Sequence, residues 1–65
     1  MKKLDEGIYL YKGVKVYKLS NGNYTADILV NDYKLPITII GATQAAFKKI
    51  FNNKVKDNGG LKESK

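Results

Sequence analysis

Catalysis by a protein this small needs nucleophiles, proton carriers or metal ligands held at fixed separations, and the sequence offers few of them. The 65 residues contain neither histidine nor cysteine. That removes disulfides, thiol nucleophiles, the usual zinc ligand sets and the ordinary neutral-pH general base. The six carboxylates, Asp5, Glu6, Asp27, Asp32, Asp57 and Glu63, are scattered over turns, termini and one strand. Only Asp5 and Glu6 are adjacent, and paired carboxylates need a shielded, fixed separation to split their acidities. Gly59-Gly60 has neither a strand before it nor a helix after it, so it is not a phosphate loop. The sequence therefore predicts no enzyme, no cofactor and no metal.

What it has in quantity is ammonium. All 12 basic residues are lysines, giving a formal net charge of +6. Such a field favours polyanionic partners, nucleic acid first. Without arginine the bidentate fork that reads guanine is missing, so contacts lean on phosphates. Lysine also serves solubility alone, and an AT-rich genome enriches lysine, asparagine, isoleucine and tyrosine together.

The elements that must carry these groups follow from apolar spacing. Tyr24 to Ile40 reads as two strands around an Asn31-Asp32 turn. A two-residue hairpin there sets Val30 opposite Tyr33, Ile28 opposite Leu35, Ala26 opposite Ile37 and Tyr24 opposite Ile39. Leu29 then meets Lys34, Asp27 meets Pro36 and Thr25 meets Thr38 on the other face. Pro36 donates no ladder hydrogen bond, so that strand is expected to be an edge or to turn the missing N–H of Pro36 outward. Upstream, Ser20-Asn21-Gly22 is a three-residue loop that pairs Val16 with Ala26, Val14 with Ile28, Lys15 with Asp27 and Tyr17 with Thr25. Lys12-Gly13 is a turn joining Ile8–Tyr11 to the strand from Val14. It pairs Tyr11 with Val14, Tyr9 with Val16, Leu10 with Lys15 and Ile8 with Tyr17. Leu4 to Glu6 is a polar lead-in. Lys18 falls on the apolar face, its stem lying along Tyr24.

Thr43 is an N-cap for a helix from Gln44 to about Asn53, with Ala46, Phe47, Ile50 and Phe51 as its apolar stripe. The fold class is α+β: a three- to four-stranded antiparallel β-meander packed on one C-terminal α-helix. Residues 1–56 form a single domain, and 57–65 are expected to be a flexible tail. The basic N-terminus lacks the apolar run of a signal peptide, and no segment has the length of a membrane span, so the expectation is a cytoplasmic protein without a membrane partner.

One helix covers one face of a sheet. The opposite face would then show Ile8, Leu10, Lys15, Tyr17, Thr25, Asp27, Leu29, Lys34, Pro36 and Thr38. Lysine, tyrosine and threonine there suit phosphates, base edges and thymine methyls. Lys12, Lys15, Tyr17, Thr25, Lys34 and Thr38 are the expected nucleic-acid contacts. Any half-solvated sheet has such a face. The alternative is a phage-like or mobile-element protein that modulates an acidic host protein through its apolar strand, Ile8, Tyr9, Leu10 and Tyr11 with Leu29, or through an open sheet edge. A homodimer burying Ile8, Leu10 and Leu29 is a third expectation.

Ser20-Asn21-Gly22, Tyr24-Thr25-Ala26-Asp27-Ile28, Asn31-Asp32 and Thr43-Gln44-Ala45-Ala46, in this order over residues 14–53, resemble the N-terminal arm-type DNA-binding domain of tyrosine recombinases, related in shape to plant AP2 domains. The resemblance implies a sheet that enters the major groove, with Lys15, Tyr17, Thr25, Lys34 and Thr38 facing bases or phosphates. It departs from the family in lacking arginine, in having Ala46 where an acidic residue is usual, and in having no catalytic domain after it. It implies an accessory or competing DNA binder.

Overall fold

The computed structural model describes residues 1–62. Five strands, β1 (Lys2–Asp5), β2 (Ile8–Tyr11), β3 (Val14–Lys18), β4 (Tyr24–Ile28) and β5 (Ile37–Gly41), form one antiparallel sheet in chain order, followed by α1 (Gln44–Asp57). This is the expected α+β meander with one more strand than the three to four predicted.

The β2–β3 hairpin has the predicted register: Ile8↔Tyr17, Tyr9↔Val16, Leu10↔Lys15 and Tyr11↔Val14. Lys12 (φ 50) and Gly13 (φ 79) both have positive φ, as a type I′ turn requires to match the strands' twist. The added strand is β1. Lys2 pairs with Leu10, Lys3 with Tyr9 and Asp5 with Ile8, with a bulge between Lys3 and Asp5. Its residues show no apolar alternation, so the polar lead-in expected there gives way to tertiary pairing, which satisfies backbone groups on β2 that would otherwise face outward.

Across the Ser20-Asn21-Gly22 loop, Tyr17 pairs with Thr25 as expected and Lys18 with Tyr24. Gly22 N–H donates to Leu19 O, and Asn23 N–H to the Asn21 side chain. Lys18 Nζ lies 5.8 Å from the Tyr24 ring centroid, the placement anticipated for a cation on the apolar face.

Between β4 and β5 the register differs from the expected one by two residues: Ile28↔Ile37, Asp27↔Thr38, Ala26↔Ile39, Thr25↔Ile40 and Tyr24↔Gly41. Asn31 and Asp32 do sit at the centre of a turn, with Tyr33 N–H donating to Val30 O at 3.4 Å, but no ladder follows it. In the expected register Pro36 would stand opposite Asp27. Sliding by two removes it from the strand and leaves residues 29–36 as a longer connection. Tyr33 and Leu35 consequently leave the core and are 55% and 73% exposed. A shift of two preserves which face each β4 and β5 residue occupies, so the inside-outside assignment of both strands stands.

Thr43 caps α1, its Oγ1 accepting from Ala46 N–H at 3.1 Å. The helix runs four residues beyond Asn53, bringing Val55 under Phe51 on the inner face. Ile50, expected in the stripe, lies at its rim and is exposed. Val16, Tyr24, Ala26, Ile28, Val30, Ile39, Phe47 and Phe51 are buried together as the core. Gly41 lets the helix approach β5: a Cβ there would stand 2.5 Å from both Cα and N of Phe47.

The tail expected from Asp57 onward is replaced by ordered return. Asp57 is still helical, and Asn58 caps the helix through its N–H to Lys54 O and Val55 O. Asn31 N–H then donates to Gly60 O, Asp32 N–H to Asn58 O and Lys62 N–H to Leu29 O, while Leu61 bridges Val30. The packed structure thus reaches Lys62, and residues 63–65 of the expected tail lie outside the described residues. No helix of the described residues is long and apolar enough to cross a membrane.

Candidate nucleic-acid interface

Pairing fixes what the helix-free face presents. Asp5, Ile8, Tyr17, Thr25 and Ile40 form one row across all five strands. The next holds Lys2, Leu10 and Lys15 on the first three strands, and Asp27 with Thr38 on the last two. Of the six expected nucleic-acid contacts, Lys15, Tyr17, Thr25 and Thr38 therefore share this face. Lys15, Tyr17 and Thr38 are exposed and Thr25 is half-buried. Beside them, on the Lys12–Gly13 side of the last ladder pair, a cleft of about 340 Å³ lies between β3 and β4, bordered by Lys15, Tyr17, Thr25 and Asp27.

The other two lie elsewhere. Lys34 falls in the connection between β4 and β5, because the shifted register takes it off the strand. Lys12 turns to the helix side: its Nζ donates to Asn52 Oδ1 at 2.8 Å and sits 5.5 Å from the Tyr11 ring centroid. The expected protein-docking set divides in the same way. Ile8 and Leu10 belong to the helix-free face, and Leu29 is exposed just past β4. Tyr9 and Tyr11 alternate to the other side and complete the core. Tyr9 meets Tyr24 edge-on at 5.7 Å, and Tyr11 meets Phe51 edge-on at 4.9 Å. They hold the fold together and do not share one docking surface with Ile8 and Leu10, because period-two alternation within Ile8–Tyr11 sends neighbours to opposite faces.

Two observations refine what the helix-free face can do. Thr38 Oγ1 donates to Asp27 Oδ1 at 2.8 Å, so its proton is spent inside the protein, and Asp27 keeps one oxygen uncommitted. The expected Lys15–Asp27 alignment is not an ion pair; among the described residues the ion pair is Lys3 with Glu6, at 3.3 Å. With Lys2 and Lys15 set against Asp5 and Asp27, the face is balanced in charge. The excess lysine lies elsewhere, much of it on α1, where Lys48, Lys49, Lys54 and Lys56 face a single acidic residue, Asp57.

Spacing in the sequence did not bring out Lys2 and Ile40 as members of the face, since each depends on a register visible only after pairing. Nor did it bring Lys12 and Tyr11 to Lys48 and Asn52. Lys48 Nζ lies 5.8 Å from the same Tyr11 ring. The Met1 ammonium stands close enough to Lys48 that the neighbouring positive charge, helped by partial loss of water, holds it below the ordinary range of an α-amine. Among the described residues no group of three or more acidic, histidine or cysteine side chains gathers to hold a metal ion. No family model, curated protein or solved structure matches the chain.

Proposed function

We propose that the chain is a small nucleic-acid-binding accessory protein that meets DNA with the helix-free face of its sheet. The observation that carries this is the gathering of Lys15, Tyr17, Thr25 and Thr38 onto one solvent-facing surface of a protein with a net charge of +6. Lys15, with Lys2 beside it across Leu10, faces phosphates. Tyr17 and Thr25, directly paired, stand nearer bases or sugars. Thr38 contributes its methyl group, its hydroxyl being turned to Asp27. The resemblance to arm-type domains over residues 14–53 points the same way. Duplex and single-stranded oligonucleotides followed by fluorescence anisotropy test it. Binding is expected to weaken steeply with salt, and Lys15→Ala with Tyr17→Ala to weaken it about tenfold or more at low salt. No binding to any oligonucleotide at low salt, or binding indifferent to salt, rules it out.

A second reading rests on the charge balance of the same face. Ile8, Leu10, Tyr17 and Ile40 make it apolar as well as neutral, with Ile40 52% exposed, which suits a protein surface. Under that reading Leu10→Asp abolishes a partner that survives nuclease treatment, and Lys15→Ala leaves it in place.

A further inference from the structure

The local excess of positive charge is not on the sheet face but around Tyr11. The Lys12 and Lys48 ammonium groups stand 5.5 and 5.8 Å from the centre of this one ring, and no carboxylate among the described residues pairs with either. Asn52, which is exposed, accepts at Oδ1 from both Lys12 Nζ, at 2.8 Å, and Tyr11 Oη–H, at 3.3 Å, so its amide NH2 remains available as a donor. Tyr11 packs edge-on against Phe47 and Phe51, so the ring that both cations approach is held in place. Like charges gathered near one ring repel each other in water, and anions drawn to them relieve that repulsion.

We propose that Lys12, Lys48 and Asn52, arranged around Tyr11, form a phosphate-binding site on the helix side of the sheet, taking the phosphates of a nucleic-acid strand. Each lysine places its ammonium on a non-bridging oxygen of one of two neighbouring phosphates, and the Asn52 amide is a further donor to either of them. This rests on the nucleic-acid reading and adds to Lys2 and Lys15, the two phosphate-facing lysines of the charge-balanced sheet face, a second pair that no carboxylate among the described residues offsets.

The test compares two double variants that remove the same charge. Lys12→Asn with Lys48→Gln empties the site and keeps a residue tolerant of left-handed backbone at position 12. Lys54→Gln with Lys56→Gln neutralises the far end of the helix. The first is expected to weaken oligonucleotide binding about tenfold and to reduce the slope of log K against log salt by roughly 1.4 to 1.8, two phosphate contacts' worth. The second is expected to change affinity less than about threefold. Equal losses from both pairs, or no loss from the first, overturn the site. If the first variant fails to fold, Lys48→Gln alone carries the comparison against Lys54→Gln. A second arm titrates inorganic phosphate and follows the Asn52 side-chain amide by NMR. A saturable shift in the wild type, missing from the variant, supports the site, and a titration without one overturns it. If oligonucleotides do not bind at all, the nucleic-acid reading falls, and the phosphate titration still decides whether the site takes free phosphate.

Discussion

Replacing Gly41 with alanine inserts one methyl group where the helix lies against β5. That methyl would stand 2.5 Å from Cα and N of Phe47 and 2.9 Å from its Cβ. Comfortable carbon contacts begin near 3.5 Å, so the first turn of the helix must retreat by about 1 Å. A side chain tip could rotate away, but these are backbone atoms, and Phe47 is fully buried with Phe51 one turn on. Retreat loosens both rings from Ile39 and Tyr11. Overpacking of this kind costs about 1 to 3 kcal/mol. Restriction of the unfolded chain by alanine returns about 0.4 to 1 kcal/mol. A net loss of about 1 to 2 kcal/mol is a substantial share of the roughly 3 to 10 kcal/mol available to a chain of this length. It lowers the unfolding midpoint by about 4 to 16 °C. The control is Gly13→Ala, where nothing lies within 4 Å and only the positive φ is strained. That strain costs about 1 kcal/mol. Thermal and urea unfolding followed by circular dichroism measure both. If Gly41→Ala is no less stable than wild type, or loses less than Gly13→Ala, the close docking of helix on strand is wrong.

Two further stability measurements bear on the ends of the helix. Thr43→Ala removes the acceptor for Ala46 N–H and is expected to cost about 1 kcal/mol in urea unfolding, with Thr43→Ser restoring most of it. Leu61→Asp places a charge beside Val30, which is fully buried, and is expected to lower the unfolding midpoint while raising amide exchange at Asn31 and Asp32, whose N–H groups donate to Gly60 and Asn58. Unchanged exchange there would mean the C-terminal segment does not cover them in solution.

Most of the fold was legible because tight turns specify parity. Lys12-Gly13 fixed four pairs, and Ser20-Asn21-Gly22 aligned Tyr17 with Thr25. The β4–β5 register was misplaced because Asn31-Asp32 does form a turn, while the strand waits until Pro36 has passed. Nothing local shows that the donors of Asn31 and Asp32 go to residues 58–60 instead of a hairpin partner. β1 was invisible for a related reason: Lys-Lys-Leu-Asp has no strand pattern, and only the open side of β2 makes it one. The candidate face was legible as far as parity reaches, which covers Lys15, Tyr17, Thr25 and Thr38. Lys12 and Tyr11 meet Asn52 across about forty positions, a distance over which no spacing rule applies.

The return of Asn58–Lys62 onto Leu29–Asp32 makes a closed ring of chain that contains the connection, β5 and the whole helix. A protein without cysteine has here a non-covalent counterpart of a disulfide, made from main-chain hydrogen bonds and the packing of half-buried Leu61 beside buried Val30. Unlike a sulfur bridge it survives any reducing environment and opens reversibly. The helix is therefore tethered at both ends, by Gly41 at the start and by this clasp at the finish, and its rings keep their orientation beneath Tyr11 without a larger core to hold them.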